Sequence, residues 1–322
     1  GYDYNLLNST HEAIAIGRDS GIPVNISHFG AHGIEFWGMA QEVLHIIDEA
    51  RELGVDVAFD AIPYTSGATW IIALFPTWAQ EGGTEKLIDR LEDPAIRERI
   101  EREMETVAPG WPPVWPMNLV KLIGWERLAL ASCTTRGNKP LEGRNFTEIS
   151  MIKGKAPFDA LCELVREEEG NALIWTFIWR EDDVRAMLRH RVCSISTDAV
   201  DTGRGKPHPA AYQAYPRILD YYVAKEEVVT LEEAIRKMTS LPAQRYLLRD
   251  RGFIAEGFSA DIVVLDPKTI TDESSFDEPR KYAEGTEYVL LNGEVIVRKG
   301  EVEKEILYGK VLRKMESGYT MK

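Results

Sequence analysis

Apolar residues recur along this chain in two alternating periods. Residues 5–20 read as a helix, with Ala13, Ile14 and Ile16 among its apolar positions, and Gly21-Ile22-Pro23 stops it. Residues 24–29 (Val-Asn-Ile-Ser-His-Phe) predict a short strand that runs into a loop containing Gly30 and Gly33. Val43, Leu44, Ile47 and Ala50 fall at helical spacing and predict an amphipathic helix over 39–53, ended by Gly54. Residues 55–62 form the next apolar run, closed by Pro63-Tyr64-Thr65-Ser66-Gly67. Short buried strands alternating with helices are the pattern of βαβ units and a parallel sheet.

That rhythm breaks over about 75–150, which reads as an insertion over one end of the sheet. Charged helical stretches over 85–105 meet a Pro- and Trp-rich loop at 109–116, and 120–133 predicts one or two strands. The rhythm resumes with helices at 156–169 and 181–190 and a buried strand at 192–197. A Gly-containing loop (203–209) precedes helices at 211–224, 231–239 and 242–248. From Gly252 the texture changes to strand and hairpin signals at 253–257, 260–267 and 288–297, with Asn292-Gly293 as a type I′ turn pair. The expected division is 1–250 for the α/β part and 251–322 for a small β domain without concentrated catalytic residue types.

Composition narrows the function classes. The chain has 322 residues, 44% of them hydrophobic, and no run long enough to suggest a membrane span. A net charge of −14 disfavours nucleic acid, which needs clustered positive charge. Cys133, Cys162 and Cys193 are widely spaced with no C-x-x-C, so a disulfide framework is not expected and a reducing cytoplasm fits. No basic-then-apolar leader follows Gly1, so nothing signals secretion.

His28 and Asp198 each stand at the C-terminal end of a predicted strand. Reactive residues of (β/α)8 barrels occupy those positions, and an imidazole with a carboxylate suits zinc. Alone, each has a plainer reading: a hydrogen-bonded structural His, and an Asp capping a helix. His32 lies in the loop after His28, where it either lines the site or is an ordinary loop residue. His11 and His45 fall on helices as surface residues. His190, between Arg189 and Arg191, reads as a helix-end charge favoured by the dipole. There is no H-E-x-x-H, G-x-S-x-G or P-loop.

Seven segments follow one another in a recognisable order: 26–28 (Ile-Ser-His), 60–65 (Asp-Ala-Ile-Pro-Tyr-Thr), 196–198 (Ser-Thr-Asp), 207–209 (Pro-His-Pro), 215–219 (Tyr-Pro-Arg-Ile-Leu), 237–243 (Lys-Met-Thr-Ser-Leu-Pro-Ala) and 260–267 (Ala-Asp-Ile-Val-Val-Leu-Asp-Pro). Together they resemble the N-acyl-D-amino-acid deacylases (D-aminoacylases) of the amidohydrolase superfamily, C-terminal portion only. The resemblance implies an α/β fold, an incomplete (β/α)8 (TIM-type) barrel of strands six to eight with their helices, plus part of a small C-terminal β domain. It implies His28 as the metal-binding His of the sixth strand. Asp198 is the eighth-strand Asp, which binds metal or takes the proton from the attacking water. Tyr64, Ser66, His208 and His32 are the implied substrate-side residues. One or two divalent ions, zinc by preference, are the implied cofactor.

Three departures accompany the resemblance. The family's first-strand H-x-H, bridging ligand and fifth-strand His are not in this chain. The site therefore needs an N-terminal half of the barrel as a separate or cleaved chain, in a hetero-oligomer. The Lys that family members carry two residues after the sixth-strand His is Gly30 here, and their Arg after the His-Pro pair is Ala210. Those cations hold a substrate carboxylate. Arg136, Arg204 and Lys206 are candidate substitutes, and a neutral or cyclic amide is an equally good substrate. The expected activity is hydrolysis of a C–N amide bond by metal-activated water. The alternatives are a non-catalytic subunit without a complete metal site, and a sugar- or peptide-binding module built on Trp111, Trp115 and Trp125.

Overall fold

The computed structural model describes residues 3–106, 117–303, 307–315 and 318–321. The Pro/Trp-rich loop, with Trp111 and Trp115, lies outside the described residues. The chain opens with α1 (Leu6–Ser20), β1 (Val24–Ile26), α2 (Ala40–Glu52) and β2 (Val57–Ala61). β3 (Gly67–Trp70), α3 (Thr84–Glu92), α4 (Pro94–Thr106), α5 (Leu119–Ile123), β4 (Leu128–Ser132), α6 (Phe146–Lys153), α7 (Pro157–Glu167) and β5 (Leu173–Thr176) follow. Next come α8 (Glu181–Arg189), β6 (Cys193–Ile195), α9 (Ala210–Arg217, continued as a π-helix over Ile218–Lys225), α10 (Leu231–Met238) and α11 (Ser240–Arg245). The remainder is β7 (Ile262–Leu265), β8 (Thr286–Leu291), β9 (Glu294–Arg298), β10 (Glu301–Val302), β11 (Leu312–Met315) and β12 (Gly318–Met321).

β1, β2 and β6 form a parallel three-stranded sheet in the order β1-β2-β6. β2 is central and every one of its residues is buried, as a strand covered on both faces requires. α2 packs against β2, α1 and α8 and buries Val43, Leu44, Ile47 and Ala50, the stripe that its sequence predicts. Fully burying each of the larger of these side chains contributes about 1.5–3 kcal/mol. α1 approaches closely because Gly17 is small: a Cβ there would lie 3.1 Å from Val24 and 3.2 Å from Val55. β1 has no second strand neighbour among the described residues.

The insertion is wider than its sequence suggests. β3, β5 and β4 form a separate antiparallel sheet that spans Gly67 to Thr176, not 75–150. β3 and β5 are four residues each and pair across a hundred positions, so no local signal announces them. The stretch 120–133 holds a helix, α5, before its single strand β4. One face of this sheet joins the main core through Leu128, Leu130 and Ile174. The other carries Ala129, Ala131, Leu173 and Trp175, covered by Phe177 and Phe276.

The C-terminal strands β7 to β10 form an antiparallel sheet in the order β10-β9-β8-β7. Asn292 and Gly293 both have positive φ (52° and 89°), as a two-residue I′ hairpin requires. The expected strand at 253–257 does not form; those residues are turn and coil. Between β7 and β8, residues 266–285 leave this sheet and run back across the α/β part.

Candidate active site

His28 and Asp198 stand just beyond β1 and β6, the two strands that flank β2. Both have left-handed backbones, φ 37° for His28 and 40° for Asp198. Non-glycine residues adopt that conformation rarely and where the surroundings enforce it. For His28 the enforcement comes from Asp60 on β2. Its carboxylate accepts the main-chain N–H of His28 at 2.7 Å, the Asn25 amide at 2.9 Å and the Ser27 hydroxyl at 3.4 Å. Its main-chain carbonyl accepts the N–H of Phe29 at 2.8 Å. Each of the three parallel strands thus delivers one polar residue to the same end of the sheet. Burial lifts the Asp198 carboxyl above the ordinary carboxylate value; the nearby His28 opposes this and Asp60 adds to it. Sequence reading missed Asp60, although a lone carboxylate within a fully buried strand is itself a signal.

Tyr64, Ser66 and His208 form a second cluster. Ser66 Oγ lies 2.9 Å from His208 Nε2, and the Tyr64 ring meets His208 edge-on at 5.0 Å. The main-chain N–H of Ala210 donates to His208 Nδ1 at 3.1 Å, so the neutral ring carries its proton on Nε2 and donates to Ser66. Burial, aided by Arg217, pushes His208 down to about 3 against a hydrogen bond to the Ser66 main chain, so it stays neutral. This is not an activated serine: the imidazole offers Ser66 a proton rather than taking one. Arg217 sits 4.7 Å over Tyr64 and donates to the Pro63 carbonyl at 2.8 Å.

The other histidines divide plainly. His32 is buried, edge-on to Trp179 at 4.9 Å, with Nδ1 3.4 Å from Met117 Sδ; burial, and then nearby His28, push it down to about 3. His45 pairs with Glu49 in solvent, and His11 is exposed. His190 corrects the expectation of a dipole-facing cation. It is largely buried against Phe59 and 3.2 Å from Asp48, and burial lowers its pKa despite that carboxylate. The three cysteines are buried and unpaired.

Trp179 explains Gly30. A Cβ on Gly30 would lie 2.5 Å from the indole Nε1, so the ring takes the volume a side chain would need. Ala210 is buried at the start of α9. Lys206 is paired with Asp277 at 2.8 Å. Imidazole and carboxylate are donors that fit zinc, but two ligands do not close its coordination. Among the described residues no group of three or more His, Cys, Asp or Glu side chains could hold a metal ion.

The sequence profile of the amidohydrolase family matches residues 77–297. The chain belongs to that family. It is 30% identical to the N-acyl-D-glutamate deacylase of Alcaligenes xylosoxydans xylosoxydans, covering 88% of this chain and 47% of the relative. It is 28% identical to the D-aminoacylase of the same organism, covering 90% and 48%. The chain therefore spans about half the length of these relatives. Its fold matches a D-aminoacylase with a binuclear metal centre at a TM-score of 0.71 and 26% identity, over 95% of this chain and 53% of that one. It matches the N-acyl-D-glutamate deacylase of Bordetella bronchiseptica, in complex with zinc and a phosphonate mimic of the tetrahedral intermediate, equally well: TM-score 0.71, 26% identity, 94% and 54%. The deacylase resemblance read from the seven segments is the one these relatives show.

Proposed function

We propose that this amidohydrolase-family chain supplies part of the active site of a metal-dependent hydrolase of C–N amide bonds, with linear N-acyl or cyclic amides as substrates. The observation that carries this reading is the left-handed pair His28 and Asp198, held at the ends of β1 and β6 around Asp60. The kinship with zinc-bound deacylases supports it. In this reading β1, β2 and β6 are strands six to eight of a (β/α)8 barrel, and residues 251–322 belong to a small β domain. An N-terminal portion, on the same or a partner chain, covers the free edge of β1 and brings the remaining metal ligands.

His28 and Asp198 are the residues this chain contributes to a zinc-type site, where a bound ion supplies Lewis-acid polarisation of the scissile carbonyl and an activated water. Asp198, on the opposite flank of the sheet from His28, takes the proton of the attacking water and passes it to the leaving amine. Tyr64, with Ser66 and His208 beside it, forms a wall on the substrate side. Gly30, closed off by Trp179, and the buried Ala210 stand where the deacylase pattern has cations. That favours a substrate that is neutral at this end.

Metal analysis of the assembled protein tests the reading. Near-stoichiometric zinc or a similar divalent ion, lost in His28→Ala, is expected. No bound metal, with any activity indifferent to Asp198→Asn, overturns it in favour of a non-catalytic subunit.

A further inference from the structure

The segment between β7 and β8 is attached at several points to the loops that surround the candidate site. Asp272 at its start accepts Arg217 Nη1 at 3.1 Å, and Arg217 in turn holds the Pro63 carbonyl in the loop after β2. Phe276 in its middle meets His208 edge-on at 5.4 Å and Trp175 at 4.8 Å. Arg280 near its end binds the loop after β6. Its Nε and Nη2 reach the two oxygens of Asp201 at 3.0 and 2.7 Å. Its Nη1 donates to the Gly205 carbonyl at 2.6 Å, and Nη2 also donates to the Arg204 carbonyl at 3.0 Å. Lys206 adds a bond to Asp277 at 2.8 Å, and Tyr212 donates to Asp201 at 2.8 Å.

We infer that Arg280 is a positioning residue for the loop that carries Asp198, so that the C-terminal β segment sets the geometry of the candidate site. The inference rests on the proposed role of Asp198. The loop from Asp198 to His208 needs an external holder. It has no regular structure, and Gly203 and Gly205 adopt φ of 75° and 58°. Gly205 is wedged against Ser132 of β4, where a Cβ would lie 2.3 Å from the Ser132 Cβ, and Lys206 N–H donates to the Ala131 carbonyl at 2.8 Å. Those contacts fix the far half of the loop. Arg280 fixes the half nearer Asp198, because Asp201 is three residues on. An isolated surface ion pair contributes little, but a two-pronged guanidinium–carboxylate pair that also satisfies two carbonyls is specific in geometry. Arg280 holds Asp201 ionised down to about 2, against burial, with help from Tyr212 and the Gly203 N–H. The attachment is therefore constant across the working pH range. Lysine cannot reproduce it, since one ammonium cannot serve a carboxylate from two sides and two carbonyls.

Hydrogen exchange and zinc titration on the complete assembled protein test this with Arg280→Ala and Arg280→Lys. Amides of residues 199–206 are expected to exchange about tenfold faster or more in Arg280→Ala, the scale of losing one charge-assisted pair. Arg280→Lys should fall between this variant and the unaltered protein. Exchange in β2 and α2 should stay as in the unaltered protein. Zinc affinity should fall in the same order. Unchanged exchange in 199–206, or an equal rise in β2 and α2, overturns the inference. A loosened loop with unaltered zinc affinity overturns the positioning of Asp198. Failure of the unaltered protein to bind zinc overturns the proposed function instead, while the exchange measurement still decides the clamp.

Discussion

The carboxylate of Asp60 accepts the main-chain N–H of His28 at 2.7 Å and the side-chain amide of Asn25 at 2.9 Å. One buried acid thus fixes both the backbone and the strand of the candidate metal-binding His. Asp60→Asn keeps the size but must turn an NH2 toward one of two donors. Zinc affinity of the assembled protein is expected to fall about 10–100-fold, the usual loss when a group that orients a ligand is removed. The double variant Asn25→Asp/Asp60→Asn restores a donor–acceptor match and should recover most of the loss. Zinc titration of the three variants reads this directly, and an Asp60→Asn protein with full affinity would contradict it.

Ser66 receives a proton from His208 and is not activated by it. Ser66→Ala should therefore lower amide hydrolysis by about tenfold at most, through loss of one buried hydrogen bond. A serine nucleophile would lose on the order of a millionfold. Steady-state kinetics separates the two cleanly.

Gly30 has no room for a side chain beneath Trp179. Gly30→Ala should destabilise the fold by about 1–3 kcal/mol through overpacking. The double variant Gly30→Ala/Trp179→Leu should cost less than the sum of the two single changes. Urea denaturation of all three proteins measures that coupling, and simple additivity would show that the indole is not the obstacle.

Glu168 is a buried carboxylate at the end of α7. Burial pushes its pKa up, but bonds from Asn138, from the Thr134 hydroxyl and N–H and from the Thr135 N–H outweigh this and bring it to about 2. A carboxyl lowered in the folded state contributes stability above its unfolded pKa near 4.5 and loses it as pH falls toward 2. Glu168→Gln should cost about 1–2 kcal/mol at pH 7 after allowance for solvent screening. That difference should shrink steadily between pH 4.5 and 2. Thermal unfolding across this range shows it; a constant gap would place the role of Glu168 in shape rather than charge.

Local periodicity and chemistry were enough for the three parallel strands, the helices between them, the Asn292-Gly293 hairpin and the candidates His28 and Asp198. Each of these depends on a few neighbouring residues: a face of α2, the end of an apolar run, a turn that demands positive φ. The order of the seven segments was enough for the family. What the sequence could not decide lies in contacts between distant positions. The antiparallel sheet of the insertion joins Gly67–Trp70 to Leu173–Thr176. Gly30 is dictated by Trp179, and packing lowers the pKa of His190 by burying it. Arg280 reaches Asp201 across 79 positions. Such relationships have no period and no local composition, because burial and charge pairing are set only when the packed chain brings the partners together.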